Sequence, residues 1–218
     1  MDNTLIDVSH WNGPIDWAKV KSSGVQGTFI KATNGAFNSD DQFITNSTLA
    51  RKQGIKVGAY HFLLSTQDPD AQAENFLNSA KPGNLDLLPV VDVEWDVFKK
   101  RDRWLDVPAK ARVAMVGRFI RNVRDALGYM PIVYTATSWW RPMIGTSTSY
   151  QGQGKPAVKF GDSPLWLASY TKKLSPLPAA WSNWHIWQYT ATGKLPGISG
   201  NVDMNRLNVP FEMLLIPR

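Results

Sequence analysis

The sequence predicts an α/β fold, a single β/α barrel of about eight strands, and three features carry that prediction. Short apolar, β-branched runs recur along the chain. In the first half each is followed by a helical segment, and in the last third the helical segments disappear. Strand–helix alternation makes parallel βαβ units, and strands that are apolar throughout suit a sheet covered on both faces. An open doubly wound sheet is the alternative, but no Gly-x-Gly-x-x-Gly turn or Walker loop supports a nucleotide site.

Residues 5–8 read as the first strand and 15–22 as a short helix opened by Asp16. Residues 27–32 form a second strand, followed by an amphipathic stretch over 40–53 that ends at Gly54. Residues 56–62 make the third strand. The helix over 70–80 is preceded by Pro69 and stopped by Pro82-Gly83. The run 87–94 reads as a fourth strand, 108–127 as a long helix with Gly128 as its C-terminal cap, and 132–135 as a fifth strand. Residues 165–170, 184–189 and 202–204 are strand-like, with no helices between them. The Gly-, Ser- and Thr-rich stretch 145–161 is expected to be a surface insertion, with a lid as one use for it. Neither a repeat nor a linker divides residues 1–218, so a single domain is expected.

Composition narrows the chemistry. The 218 residues contain no cysteine, which excludes thiolate metal sites, thiol nucleophiles and disulfides. His10, His61 and His185 lack metal-ligand spacing, so neither a metal nor another cofactor is expected. The net charge is +6, but Lys and Arg are scattered, which argues against nucleic acid as the partner. A diffuse positive field would steer the protein towards any polyanion, an acidic cell wall included. No apolar run approaches membrane-spanning length, and residues 1–7 lack the basic and apolar regions of a secretory signal.

The run Leu87-Leu88-Pro89-Val90-Val91-Asp92-Val93-Glu94-Trp95 contains the strongest chemical clue. A buried carboxylate without a partner is costly, so acids are uncommon in strands this apolar. Asp92 and Glu94 are two residues apart, and on a strand they would share one face about 6.5–7 Å apart. Two carboxyls at a strand's C-terminal end suit general acid–base catalysis, with crowding and apolar walls keeping one of them protonated near neutral pH. A purely structural use, capping the strand end, is the competing reading. Asp7 ends the first strand and Asp203 lies in the last. In a closed barrel those strands are neighbours, so four acids would converge at one mouth. Tyr60 and His61, Tyr134, Trp166 and Tyr170, and Trp187-Gln188-Tyr189 fall at the same strand ends, where aromatic rings would wall a carbohydrate cleft.

With these residues assembled, the chain resembles glycoside hydrolase family 25, the muramidases of bacteria and bacteriophages. The resemblance rests on Asp7-Val8-Ser9-His10-Trp11-Asn12-Gly13 with Ile15-Asp16-Trp17, Phe29-Ile30-Lys31-Ala32-Thr33, and Gly58-Ala59-Tyr60-His61-Phe62. It continues through Asp92-Val93-Glu94, Leu165-Trp166-Leu167-Ala168-Ser169-Tyr170, Trp187-Gln188-Tyr189 and Val202-Asp203-Met204-Asn205. It implies a modified TIM-like barrel with about five helices, and lysozyme activity on the β-1,4 bond between N-acetylmuramic acid and N-acetylglucosamine. Glu94 takes the general-acid position, Asp92 the position that assists the substrate's acetamido group, and Asp7 and Asp203 complete the catalytic acids. Tyr60, Tyr134, Trp166, Trp187, Lys31 and Gln188 are the expected substrate contacts. Asn34 departs from the family, where many relatives have Glu after Lys-Ala-Thr. Two-residue spacing is nearer the wide carboxyl separation of inverting enzymes, whereas attack by the substrate's own acetamido oxygen, which retains configuration, is the preferred expectation. A chitinase-like hydrolase and a non-catalytic wall-binding protein are the alternatives. The expected partner is the peptidoglycan strand, acted on by a monomer. The expected route is that of an endolysin, made in the cytoplasm and released through a holin.

Overall fold

The structure is a computed structural model that describes residues 4–217. Eight strands close into a barrel: β1 (Thr4–Val8), β2 (Val25–Asn34), β3 (Lys56–Phe62), β4 (Val90–Asp92), β5 (Ile132–Ala136), β6 (Leu165–Ala168), β7 (Ile186–Gly193) and β8 (Val202–Leu207). Around the sheet run β1-β8-β7-β6-β5-β4-β3-β2, and β1 pairs with β2 to complete the ring. Asn38–Ser39 adds a short antiparallel extension to β2. Five α-helices lie outside: α1 (Trp17–Ser22), α2 (Phe43–Lys52), α3 (Pro69–Ala80), α4 (Ala109–Leu127) and α5 (Thr137–Met143). None of the helices among the described residues is long and apolar enough to cross a membrane.

Local chemistry explains most boundaries. The Asp16 side chain accepts from the Lys19 N–H to open α1, and Asp68 accepts from the Asp70 and Ala71 N–H groups to open α3. Pro69 is the first residue of α3 rather than its predecessor, a position where its missing N–H costs nothing. Gly128, at φ 84°, ends α4 in the left-handed region that glycine enters without a steric penalty.

Three expectations need correction. The fourth strand is Val90–Asp92, not the whole of 87–94. Leu87 instead bridges to Leu215, and the Leu88 N–H donates to the Leu214 carbonyl, so this segment is tied to the chain's last turn. Glu94 therefore lies beyond the strand end. Thr137–Met143 forms α5, a helix absent from the expected elements, despite an internal Pro142, and beyond it the described residues form no further α-helix. Trp139 and Trp140, both fully buried, anchor it beneath Trp104, Phe160 and Trp181. The barrel is also not wholly parallel: β8 runs antiparallel to both β7 and β1. Residues 194–201 join β7 to β8 without a helix, and a parallel return needs a crossover of a dozen or more residues.

Two apolar layers result. One fills the space between sheet and helices, with Phe76, Phe119 and Ile120 at its centre. The other fills the barrel itself, where Leu5, Phe29, Leu87, Ile132, Trp166 and Ile186 pack on one another. Phe211 and Leu214, from the turn Phe211–Leu214, belong to the same inner layer. Gly58 makes room for it: a Cβ there would lie 2.5 Å from two carbons of the Phe29 ring. The inner layer fills the barrel, so it is no pore, and the polar mouth lies at one end. The stretch 145–161 is no lid. Its strands Ser149–Tyr150 and Val158–Lys159 pair with each other and pack on α4, where Tyr150 occupies the space beside Gly117.

Candidate active site

The acids converge because the strands end together. Asp7 is the fourth residue of β1 and Asp92 the last of β4. Asp203 is the second residue of β8, so in an all-parallel barrel it would face the opposite end. Reversal of β8 brings it to the mouth, where it stands directly across from Asp7. Together with Glu94, these acids line a cleft of about 260 Å³ that also contains Tyr60, Tyr134, Trp166, Tyr170 and Gln188.

Neutral hydrogen bonds hold the floor. The Gln188 amide donates to both oxygens of Asp7 at 3.1 and 3.0 Å. Its carbonyl oxygen accepts from the Tyr134 hydroxyl at 2.8 Å and the Tyr170 hydroxyl at 2.6 Å. Asn205 donates to Asp7 at 2.8 Å and accepts from the Trp166 indole N–H at 2.8 Å. Trp166 is further fixed edge-on to Tyr134, with ring centroids 5.1 Å apart.

Electrostatics then favours protons on the acids. Burial, and next the charge of Asp203, pushes Asp7 well above the usual carboxylate range. Burial raises Asp203 itself to about 6, against a hydrogen bond from Asp7 that lowers it. Burial, followed by the charge of Glu94, raises Asp92. Glu94 rises to about 7, again chiefly by burial and then by Asp203. Lys31, on the inner face of β2 with its ammonium 5.1 Å from the centre of the Phe62 ring, pulls both Asp92 and Glu94 down. Asp92 Oδ1 is buried and has no hydrogen-bond partner among the described residues.

Of the expected contacts, Tyr60, Tyr134, Trp166 and Gln188 line the cleft with the four acids. Lys31 acts on it through charge. Trp187 does not join them. It is one residue from the inward-facing Gln188, and alternation along β7 turns it outwards. There its indole N–H donates to the Ser169 carbonyl and its ring packs edge-on to Trp184. Tyr170, expected among the aromatics that wall the cleft, does line it, whereas Asn205 is a site residue that the sequence reading leaves out. Its signal is its place two residues beyond Asp203 on the same strand face.

Among the described residues no cluster of His, Asp or Glu has the arrangement of a metal site. A barrel whose mouth gathers buried carboxyls, each pushed above the usual carboxylate range, has the equipment of an acid–base glycosidase. Comparison with known proteins gives the family. The model of glycosyl hydrolases family 25 matches residues 6–198, and the chain belongs to that family. Lysozyme M1 of Streptomyces globisporus is 34% identical over 96% of this chain and 69% of its own length. The bacterial lysozyme from Streptomyces coelicolor superposes with a TM-score of 0.84 at 31% identity, covering 98% of this chain and 95% of that one. A muramidase from Acremonium alcalophilum gives 0.82 at 26% identity, with 97% and 96% covered.

Proposed function

We propose that this chain is a peptidoglycan hydrolase, an N-acetylmuramidase that cuts the β-1,4 bond between N-acetylmuramic acid and N-acetylglucosamine. Glu94 is the general acid. Its titration at about 7 leaves it protonated over much of the range below neutrality, and it stands at the open edge of the acid cluster. Its proton passes to the glycosidic oxygen as the C1–O bond breaks, and the bonding pair leaves with that oxygen. Water later supplies the hydroxyl at C1, and its remaining proton returns to Glu94.

The observation that carries this reading is Asp92 Oδ1, a buried acceptor without a donor among the described residues, two residues before the acid. A substrate acetamido N–H would satisfy it. That hydrogen bond favours the ionised carboxylate, which draws the acetamido oxygen towards C1 and offsets the positive charge of the ring it forms. Substrate-assisted attack with retention follows. Asp7 and Asp203 surround the same charge. Tyr60, Tyr134, Trp166 and Gln188 shape the sugar site, and Lys31 keeps the acids from all being protonated at once. Residues 1–218 act as one catalytic domain, as a monomer on the glycan strand.

Purified cell walls test this reading. Loss of turbidity together with new reducing ends is expected. Tight binding to the walls with no rise in reducing ends would identify a non-catalytic wall binder instead.

A further inference from the structure

Glu94 lies past the end of β4, and burial and the charges of Asp203 and Lys31 act on it, with no hydrogen bond to its carboxyl among the described residues. Apolar packing does little to hold the segment that follows, since Trp95 is 40%, Val97 60% and Phe98 57% exposed. The backbone is nevertheless pinned on both sides of the acid. Before it, the Val93 N–H donates to the Tyr134 carbonyl at 2.9 Å, and the Asp92 carbonyl accepts from the Leu63 N–H at 3.0 Å. After it stands Asp96, 2% exposed, with every polar atom engaged. Its Oδ2 accepts from the Ser65 N–H at 2.9 Å and the Ser65 hydroxyl at 2.7 Å, and its Oδ1 accepts from the Arg103 guanidinium. Its N–H donates to Asp102 Oδ1 at 3.1 Å, and its carbonyl accepts from the Arg103 N–H at 2.9 Å.

We infer that Asp96 is a positioning residue for the reaction, which holds the Glu94 carboxyl in place by bridging Ser65 and Arg103. The inference rests on the reading of Glu94 as the general acid. Leu63 and Ser65 belong to one loop between β3 and α3, so a single segment grips the chain before and after Glu94. On the other side, Asp102 and Arg103 close the hairpin of Val97–Phe98 with Arg101–Asp102, and the next residue, Trp104, is fully buried edge-on to Trp139 of α5. Stability alone does not account for a buried charged pair. Apolar side chains of the same volume commonly leave a protein as stable or more so, whereas the pair enforces one geometry. Without Asp96 the acid would be anchored at Val93 alone and would swing away from the glycosidic oxygen. A misplacement of about 1 Å costs on the order of a hundredfold in rate.

Leaving groups separate positioning of the acid from general support of the fold. Asp96→Asn and Ser65→Ala are compared with the parent on a defined peptidoglycan tetrasaccharide and on the dinitrophenyl β-glycoside of a disaccharide ending in muramic acid. Dinitrophenolate departs without a proton, so only the tetrasaccharide needs Glu94 in place for its bond to break. The ratio of kcat/KM for the tetrasaccharide to that for the dinitrophenyl glycoside should fall about tenfold in Asp96→Asn and about fivefold in Ser65→Ala, which keeps the N–H bond to Asp96. A fall of less than about threefold in either folded variant overturns the inference. If Asp96→Asn does not fold, Ser65→Ala decides by the same criterion. Loss of activity on both substrates alike also overturns it, because the clamp then supports the whole site and not the acid. Glu94→Gln should lower the same ratio, and if it does not, the general-acid reading fails. If it does and the two clamp variants do not, only the positioning role fails.

Discussion

Replacing Glu94 with Gln should make the protein more stable and nearly inactive, and the two effects share one cause. In the folded state Glu94 titrates at about 7 instead of 4.5, because burial and Asp203 oppose its ionisation. One pKa unit corresponds to about 1.4 kcal/mol, so ionised Glu94 costs the fold roughly 3 kcal/mol. The sign follows from proton counts. Below about pH 4.5 the carboxyl is protonated in both folded and unfolded chains and costs nothing. Between 4.5 and 7 the unfolded chain releases its proton first, so stability falls as pH rises, and above about 7 the loss is complete. Gln keeps the shape and never ionises. The melting temperature of Glu94→Gln should therefore match the parent near pH 4 and exceed it at pH 8. For a chain of this size the excess is on the order of 5–10 °C. Wall clearance should drop about a hundredfold or more, since Gln has no proton to give. Thermal melts of both proteins from pH 4 to 8 provide the assay. A difference that does not grow with pH would refute the electrostatic argument, and a folded variant clearing walls at over about a tenth of the parent rate would refute the role.

Further outcomes follow from the same structure. Asp92→Asn should reduce turnover at least tenfold while wall binding is kept or improved, because repulsion in the cluster falls; saturation kinetics and pull-down on walls measure the two separately. Gly58→Ala places a methyl group 2.5 Å from the Phe29 ring and should cost about 1–3 kcal/mol in urea unfolding, unless the ring shifts freely. Activity on whole walls should fall steeply with salt at fixed pH if the +6 charge steers the enzyme, whereas cleavage of a short uncharged glycan should change little.

Much of the barrel was legible because its local signals agree. β3 spans the predicted 56–62, and α4 ends at the predicted Gly128, where hydrophobic period and capping residue point the same way. The misses have physical causes. Leu87-Leu88-Pro89 has strand composition, but its pairing is with the distant Leu214–Leu215 segment, which no local pattern reveals. In α5, Pro142 and the lack of a side-chain cap argue against a helix, and burial of Trp139 and Trp140 overrides them. The four acids were visible as polar breaks in apolar strands. Their meeting was expected from barrel closure, yet it depends on the reversal of β8, which the short connection before it dictates. Trp187 was misplaced by one step of strand alternation. The Gln188 network was hidden because its bonds join residues up to 181 positions apart.

The central claim is the bond that is cut. Purified peptidoglycan digested with the protein, reduced with borohydride and analysed by mass spectrometry reports the sugar at each new end. The account predicts that muramic acid is reduced to muramitol at every new end, with N-acetylglucosamine intact at the other terminus. New ends carrying glucosaminitol, or none at all while the walls still bind the protein, would contradict it.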